Sequence, residues 1–246
     1  MRVKKQVIQA KPMIGLYSDS GVAPNSFFQL QKILSPYYTI IKLKASDIIF
    51  QKWPATMKAL IMPGGADVPY HQKLQGMGCD NIRNFVKSGG VYIGICAGSY
   101  FAANEIHFIC ADGSIIAGKR DLGFFKGRVR GPAFGTYIES SHVSAQLIDV
   151  VLDGNTTQAY FNGGGIFEGA QKDEILGVYQ ETNQPMAVQC KVGKGSALLC
   201  AVHPEYDQEF LTSIKGDEFF EQVNDGSCNQ TRDWFLKMLD QVVLNS

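Results

Sequence analysis

Three short stretches of this chain carry residue types and spacings that could do chemistry together. The first is Gly94-Ile95-Cys96-Ala97-Gly98, which follows the apolar run Val91-Tyr92-Ile93 and precedes the plausible helix Ser99-Tyr100-Phe101-Ala102-Ala103. A G-x-C-x-G sequence there reads as a nucleophile elbow: the glycines let the chain turn sharply from strand to helix, leaving the central thiol strained and exposed. A thiol at a helix N-terminus meets the positive end of the dipole, which favours the reactive thiolate. The second stretch is Cys200-Ala201-Val202-His203-Pro204-Glu205, at the end of an apolar run from Ser196 to Val202 that reads as a buried strand. His203 and Glu205 are two apart, so an extended chain points both side chains the same way, and Pro204 biases His203 away from helix. An imidazole oriented by a carboxylate is the base that a cysteine nucleophile needs. The plainer reading makes His203 a strand-end residue and Glu205 the opening of a helix. The third is Pro63-Gly64-Gly65, ending the strand-like Lys58-Ala59-Leu60-Ile61-Met62. Backbone N–H groups at Gly64 or Gly65, with that of Ala97, could form an oxyanion hole, the alternative being a simple Pro-Gly turn.

Positioning such residues takes a sheet whose strands end on one side. Strand signals at Met13–Tyr17, Tyr38–Leu43, Lys58–Met62 and Val91–Ile95 alternate with helical spacing over Asn25–Leu34 and about Asn81–Lys87, the latter stopped by Gly89-Gly90. That rhythm predicts a parallel sheet flanked by helices, with ligands bound beyond the carboxyl ends of the strands. From about His107 to Val202 the pattern changes to short β-like pieces, including Phe108–Cys110, Ser114–Ala117, Arg128–Arg130, Leu147–Leu152, Ile175–Tyr179 and Met186–Cys190. Val192-Gly193-Lys194-Gly195 reads as the hairpin turn joining Met186–Lys191 to Ser196–Val202. An antiparallel extension, or a second sheet layered on the first, is the expectation for this half. Gln230–Leu244 reads as an amphipathic terminal helix with Trp234, Phe235, Leu236, Leu239 and Val243 on its apolar stripe. The domain reading is a single unit over 1–246, its core at about 13–205 and a helical segment at 206–246.

The three motifs occur in the order and setting of class I glutamine amidotransferase-like proteins. More specifically, Met62-Pro63-Gly64-Gly65-Ala66-Asp67-Val68-Pro69-Tyr70, Gly94 through Ala102, and Tyr160-Phe161-Asn162-Gly163-Gly164-Gly165 resemble the family named for the N-terminal domain of eukaryotic biotin-protein ligase, which also occurs as free-standing bacterial proteins. The resemblance spans about Met13 to Glu205. It implies a Cys96-His203-Glu205 triad on a flavodoxin-like sheet, and it does not imply ligase chemistry, which belongs to a different domain. Glutamine-hydrolysing members carry a glutamine or histidine shortly after the elbow; Tyr100 stands there in this chain, a departure that weighs against glutamine as substrate.

Asn162-Gly163-Gly164-Gly165 is entropically costly and reads either as a substrate-facing loop at the Cys96 crevice or as a wide hairpin loop. Asp67, Tyr70 and Tyr100 are further candidate substrate contacts. His71, His107 and His142 have no partner pattern. Asp19 is the only acid near the end of the first strand, where a peptidase or glyoxalase-like relative would carry its glutamate.

Composition sets the outer bounds. A chain of 246 residues with 45% hydrophobic content can bury a large core. Lys+Arg 23 against Asp+Glu 23 leaves no global field to recruit nucleic acid or an anionic membrane. Lys119-Arg120 and Lys126-Gly127-Arg128-Val129-Arg130 read as solvated strand faces. Six cysteines without a C-x-x-C suggest neither a metal site nor a disulfide framework, with Cys110, Cys190 and Cys200 read as inert core residues. Met1–Lys11 is basic without an apolar signal region, read as a short loose leader, and no run is long enough to span a bilayer. The expectation is a cytoplasmic, cofactor-free protein acting on a small-molecule amide or acyl substrate, with an acceptor or synthetase partner conceivable. The competing reading is a non-catalytic ligand-binding or regulatory domain.

Overall fold

The computed structural model describes residues 10–138, 141–214 and 227–244. The first half is built from β1 (Met13–Tyr17), α1 (Pro24–Leu34), β2 (Thr39–Leu43), α2 (Ala45–Ile49), β3 (Met57–Met62), α3 (Asp67–Leu74), α4 (Met77–Lys87), β4 (Val91–Ile95) and α5 (Ala97–Phe101). Strands then dominate: β5 (Ala103–Ile109), β6 (Ile115–Lys119), β7 (Phe125–Gly131), β8 (Gln146–Leu152), β9 (Asn155–Phe161), β10 (Ile166–Glu168), β11 (Ile175–Tyr179), β12 (Pro185–Val192) and β13 (Gly195–Cys200). Two helices follow, α6 (Gln208–Ser213) and α7 (Ser227–Leu244).

Nine strands make one sheet in the order β2-β1-β3-β4-β13-β12-β11-β8-β9. The first five pair in parallel and the last five in antiparallel fashion, β13 belonging to both sets. β3 and β4 are apolar almost end to end because helices cover both faces of a parallel sheet. α1 shows why: Ser26, Phe27, Leu30, Ile33 and Leu34 fall on one side at helical spacing and are buried. Four more strands form a separate sheet, β10-β7-β5-β6. Both expectations for the second half therefore hold, an antiparallel extension and a second sheet, although β5 and β7 pair in parallel.

Several boundaries differ from the sequence reading. α4 begins at Met77, four residues ahead of Asn81. The elbow helix starts directly at Ala97 and ends at Phe101, so Ala103 already belongs to β5. α3 carries Pro69 in its first turn, where a missing N–H costs nothing because those N–H groups have no intrahelical acceptor. β9 is rich in polar residues, and α7 satisfies them: Thr157 Oγ1 donates to the Ser227 carbonyl at 2.6 Å and Thr231 Oγ1 to the Gln158 carbonyl at 2.6 Å. Arg120 is buried rather than solvated. The basic leader, apart from its last two residues, and residues 215–226 and 245–246 of the helical segment lie outside the described residues. Among the described residues no helix is long and apolar enough to cross a membrane.

Candidate functional site

Parallel pairing of β4 with β13 sets the site. The Cys96 N–H donates to the Cys200 carbonyl at 2.8 Å, so the residues just past both strands, Cys96 and His203, emerge at the same carboxyl edge. Cys96 has φ +46° and ψ −103°, a conformation that a non-glycine residue adopts only under strain. The flanking glycines allow it: a Cβ at Gly94 would sit 2.5 Å from the Gly98 carbonyl oxygen, and one at Gly98 would sit 2.1 Å from that of Met62. Tyr92 Oη and Ser99 Oγ lock the turn by donating to the carbonyls of Gly98 and Cys96, both at 2.7 Å. The Cys96 Sγ lies 3.9 Å from the Asn162 carbonyl oxygen.

His203 lies three residues beyond the end of β13, where its N–H donates to the Tyr160 carbonyl at 3.0 Å. The expected extended run to Val202 stops at Cys200, and His203 through Tyr206 form a turn closed by the Tyr206 N–H on the His203 carbonyl at 3.3 Å. The turn still points both side chains together: His203 Nδ1 is 2.8 Å from Glu205 Oε1. A carboxylate oxygen can only accept, so Nδ1 carries the proton and Nε2 is the nitrogen left available to Cys96, which borders the same cavity. Burial disfavours a charged ring, yet Glu205 and Cys96 outweigh it and raise the His203 pKa from 6.5 to about 10. The Tyr206 ring stacks on the imidazole at 4.9 Å and 6°, and Tyr160 meets it edge-on.

Glu205 is fully buried, and a residue not singled out in the sequence holds it. Ser26 Oγ donates to Glu205 Oε1 at 2.6 Å and accepts the Gly64 N–H at 3.0 Å, joining α1, the glycine turn and the carboxylate. Its signal was a lone serine at the i−4 position from Leu30 on a buried apolar stripe. Gly64 is thereby corrected as an oxyanion donor, its N–H being spent on Ser26. Its second role is space, since a Cβ there would lie 2.3 Å from His203 Cε1. Gly65 differs. The Ala23 N–H to Gly64 and Ala66 N–H to Gly21 bonds make Val22 and Gly65 a wide antiparallel pair, so the Gly65 N–H points away from that neighbour. Ala97, first in α5, has no intrahelical acceptor for its own N–H.

Cys96 lies where two cavity lobes meet, one of about 600 Å³ and one of about 460 Å³. The larger is lined mainly by apolar side chains, among them Val68, Phe108, Ile116 and Ile138, together with Gly65 and Ala97. The smaller is the more polar of the two, its lining mixed, with Asn25, Ser141, His142, Tyr160, His203 and Tyr206 among apolar residues such as Val22 and Pro69. Asn162 and Tyr137 border both.

The remaining candidates divide. Asn162, Gly163 and Asp67 face the cavity, Asp67 with its carboxylate taken by buried Arg120 at 2.7 Å. Tyr100 reaches the larger lobe from below and donates its hydroxyl to the Gly163 carbonyl at 2.9 Å, tying the elbow helix to the glycine loop. Tyr70 is corrected: it is fully buried and props the Pro63-Gly64 carbonyls from beneath. Gly164 borders neither lobe, because it packs on the Ala201 carbonyl, 2.3 Å from where a Cβ would sit. His142, given no role by the sequence, hydrogen-bonds Tyr160 Oη through Nδ1 at 2.6 Å inside the polar lobe. Cys110 is partly exposed on the apolar lobe, not core. Asp19 spends its carboxylate on the N–H groups of Ser20 and Ala45 and borders neither lobe. Among the described residues no group of three or more His, Cys, Asp or Glu converges as a metal site requires.

Residues 13–245 match the family described as biotin-protein ligase, N terminal. The chain belongs to that family. Another relative of this biotin-protein ligase N-terminal chain is an uncharacterized protein of Chlamydia muridarum, 36% identical over 211 residues, 80% of this chain and 82% of that one. The biotin–protein ligase of Schizosaccharomyces pombe is 33% identical over 240 residues; that match takes in 91% of this chain and only 37% of the ligase. Among solved structures, PurLQS from Thermotoga maritima superposes with a TM-score of 0.59 at 14% identity, over 93% of this chain and 99% of its own. The β-galactosidase Gan42B from G. stearothermophilus gives 0.53 at 12% identity, over 95% of this chain and 30% of its own. At such identities the likeness is one of fold alone, an α/β scaffold whose parallel strands are flanked by helices.

Proposed function

We propose that this chain is a cysteine-dependent hydrolase of the amidotransferase-like type, acting on an amide or related acyl group. One observation carries the reading: a strained, elbow-held Cys96 shares a cavity with the imidazole of His203, one nitrogen of which is fixed by a buried carboxylate. In the forward reaction Cys96 Sγ bonds to the carbonyl carbon with the proton of the pair already resting on His203, which Glu205 holds in its charged form. The N–H groups of Gly65 and Ala97 would hold the developing oxyanion. His203 then returns the proton to the departing amine as the C–N bond breaks, leaving a thioester on Cys96. Water, deprotonated by His203, releases the acid and restores the thiol. Glu205 keeps the ring in its productive tautomer throughout. No cofactor enters these steps. A reducing cytoplasm would keep Cys96 free, and an acceptor or a synthetase partner could take the amine.

Cys96→Ala is expected to abolish turnover of an acyl substrate while leaving the melting temperature near wild type; retained turnover would sink the reading. A second reading, a domain that holds an acyl ligand without turning it over, is favoured by the match to 37% of a biotin–protein ligase, where such a portion accompanies a much longer chain. It predicts that ligand binding survives Cys96→Ala and that no thioester forms on the wild-type protein.

A further inference from the structure

We infer that the two lobes divide the substrate at its scissile bond, the apolar lobe taking an extended apolar acyl group and the polar lobe a polar leaving group much larger than ammonia. This rests on Cys96 being the nucleophile. The assignment follows from where the catalytic parts sit. In a tetrahedral intermediate the oxyanion faces the N–H donors, the leaving atom must face the imidazole that protonates it, and the acyl chain takes the direction that remains. His203 borders only the polar lobe, so the leaving group lies there. Ala97 borders only the apolar lobe and Gly65 borders both, placing the oxyanion at the boundary and the acyl chain beyond it.

Size and charge then narrow the chemistry. Ammonia occupies roughly the 30 Å³ of a water molecule, whereas the leaving-group side holds about 460 Å³. On the acyl side, Phe108, Ile116 and Ile138 offer apolar surface across about 600 Å³. Neither lobe is lined by a lysine or arginine among the described residues, so the α-carboxylate of free glutamine meets no cation. Of the two acids on the acyl side, Asp67 is already paired with Arg120, and Asp112 accepts from the Ser114 N–H and hydroxyl. Tyr100, under the glycine loop, occupies space rather than offering a free polar group, since its hydroxyl is spent on Gly163. The substrate class is thus a secondary amide, or an ester, joining a medium-length aliphatic or aromatic acid to a polar amine or alcohol. Breaking it follows the same balance: the S–C bond forms, the C–N or C–O bond breaks, the proton passes from Cys96 through His203 to the leaving atom, and one water hydrolyses the thioester.

The test reads acylation of Cys96 by intact-protein mass spectrometry with p-nitrophenyl octanoate and p-nitrophenyl acetate, and turnover of N-octanoylglycinamide against octanamide and glutamine. The expected result is octanoyl transfer at least about tenfold faster than acetyl transfer, a discrimination that burying several methylenes readily supplies. Ile116→Asp and Ile138→Asp, both at exposed positions on the apolar lobe, should each lower the octanoyl-to-acetyl rate ratio at least about tenfold with the melting temperature near wild type. N-octanoylglycinamide should be cleaved at least about tenfold faster than octanamide, with glutamine slowest. Equal octanoyl and acetyl rates would overturn the acyl half of the division, and octanamide or glutamine as the better substrate would overturn the leaving-group half. Failure of every ester to acylate Cys96 would instead remove the nucleophile itself, and the division with it.

Discussion

At the residue scale the decisive unit is wider than a triad. Ser26, Glu205 and His203 form one hydrogen-bonded line ending in the cavity that Cys96 borders, and Ser26 also anchors the Gly64 N–H. Replacing Ser26 by Ala removes a bond to a buried carboxylate and leaves a buried N–H without its acceptor. A hydrogen bond to a charged group contributes roughly 1.5–3 kcal/mol, so Ser26→Ala should lower stability by about that much in urea unfolding. It should also lower the acylation rate, because the carboxylate that orients His203 loses its second anchor. Unchanged stability together with an unchanged rate would show that Ser26 supports neither.

At the element scale the elbow depends on contacts made by backbone rather than by side chains. A Cβ at Gly98 would stand 2.1 Å from the Met62 carbonyl oxygen, so α5 packs against β3 only with glycine there. Gly98→Ala is expected to destabilise by about 1–3 kcal/mol through overpacking, lowering the melting temperature by roughly 2–4 °C per kcal/mol, and to slow Cys96 acylation as the turn shifts. A melting temperature equal to wild type would contradict that packing. The same contrast explains what the sequence could and could not reveal. β3, β4 and β13 were legible because a strand covered on both faces is apolar almost throughout, and Cys96, His203 and Glu205 because a nucleophile, a base and an orienting acid are rare in such company. β9 was hidden by its threonines and glutamine; the partners of Thr157 and Gln158 lie on α7, dozens of residues away, and Thr156 bonds to Gln180. α3 was hidden by Pro69, which usually ends structure but is tolerated in a first turn. Tyr70 and Tyr100 could not be separated by type alone: one is sealed beneath the glycine turn, the other reaches the cavity, and only tertiary packing distinguishes them.

For the whole molecule, the proton on His203 couples the site to stability. In the unfolded chain a histidine titrates near 6.5, and in the folded protein His203 titrates at about 10. Between those values the folded state holds a proton that the unfolded state has lost, so stability falls as pH rises. The contribution is complete below about pH 6.5 and is lost as pH climbs through about 10. Urea unfolding at pH 6 and at pH 10 should show wild type losing more stability across that range than His203→Asn; equal losses would contradict the linkage. The wider architecture matches the burden placed on it, since the parallel half of the sheet presents Cys96 and the antiparallel half, through β13 and β9, brings His203 and Tyr160 to it.

The central claim, that Cys96 is an activated nucleophile served by His203, is tested most directly by the rate of iodoacetamide alkylation at each of the six cysteines, read by peptide mass spectrometry in wild type and in His203→Ala. Cys110 is the internal reference, a partly exposed thiol on the same cavity. The account predicts that Cys96, though less exposed, reacts at least about tenfold faster than Cys110 at neutral pH, and that His203→Ala removes the advantage. Cys96 reacting no faster than Cys110, or reacting equally fast without His203, would contradict it.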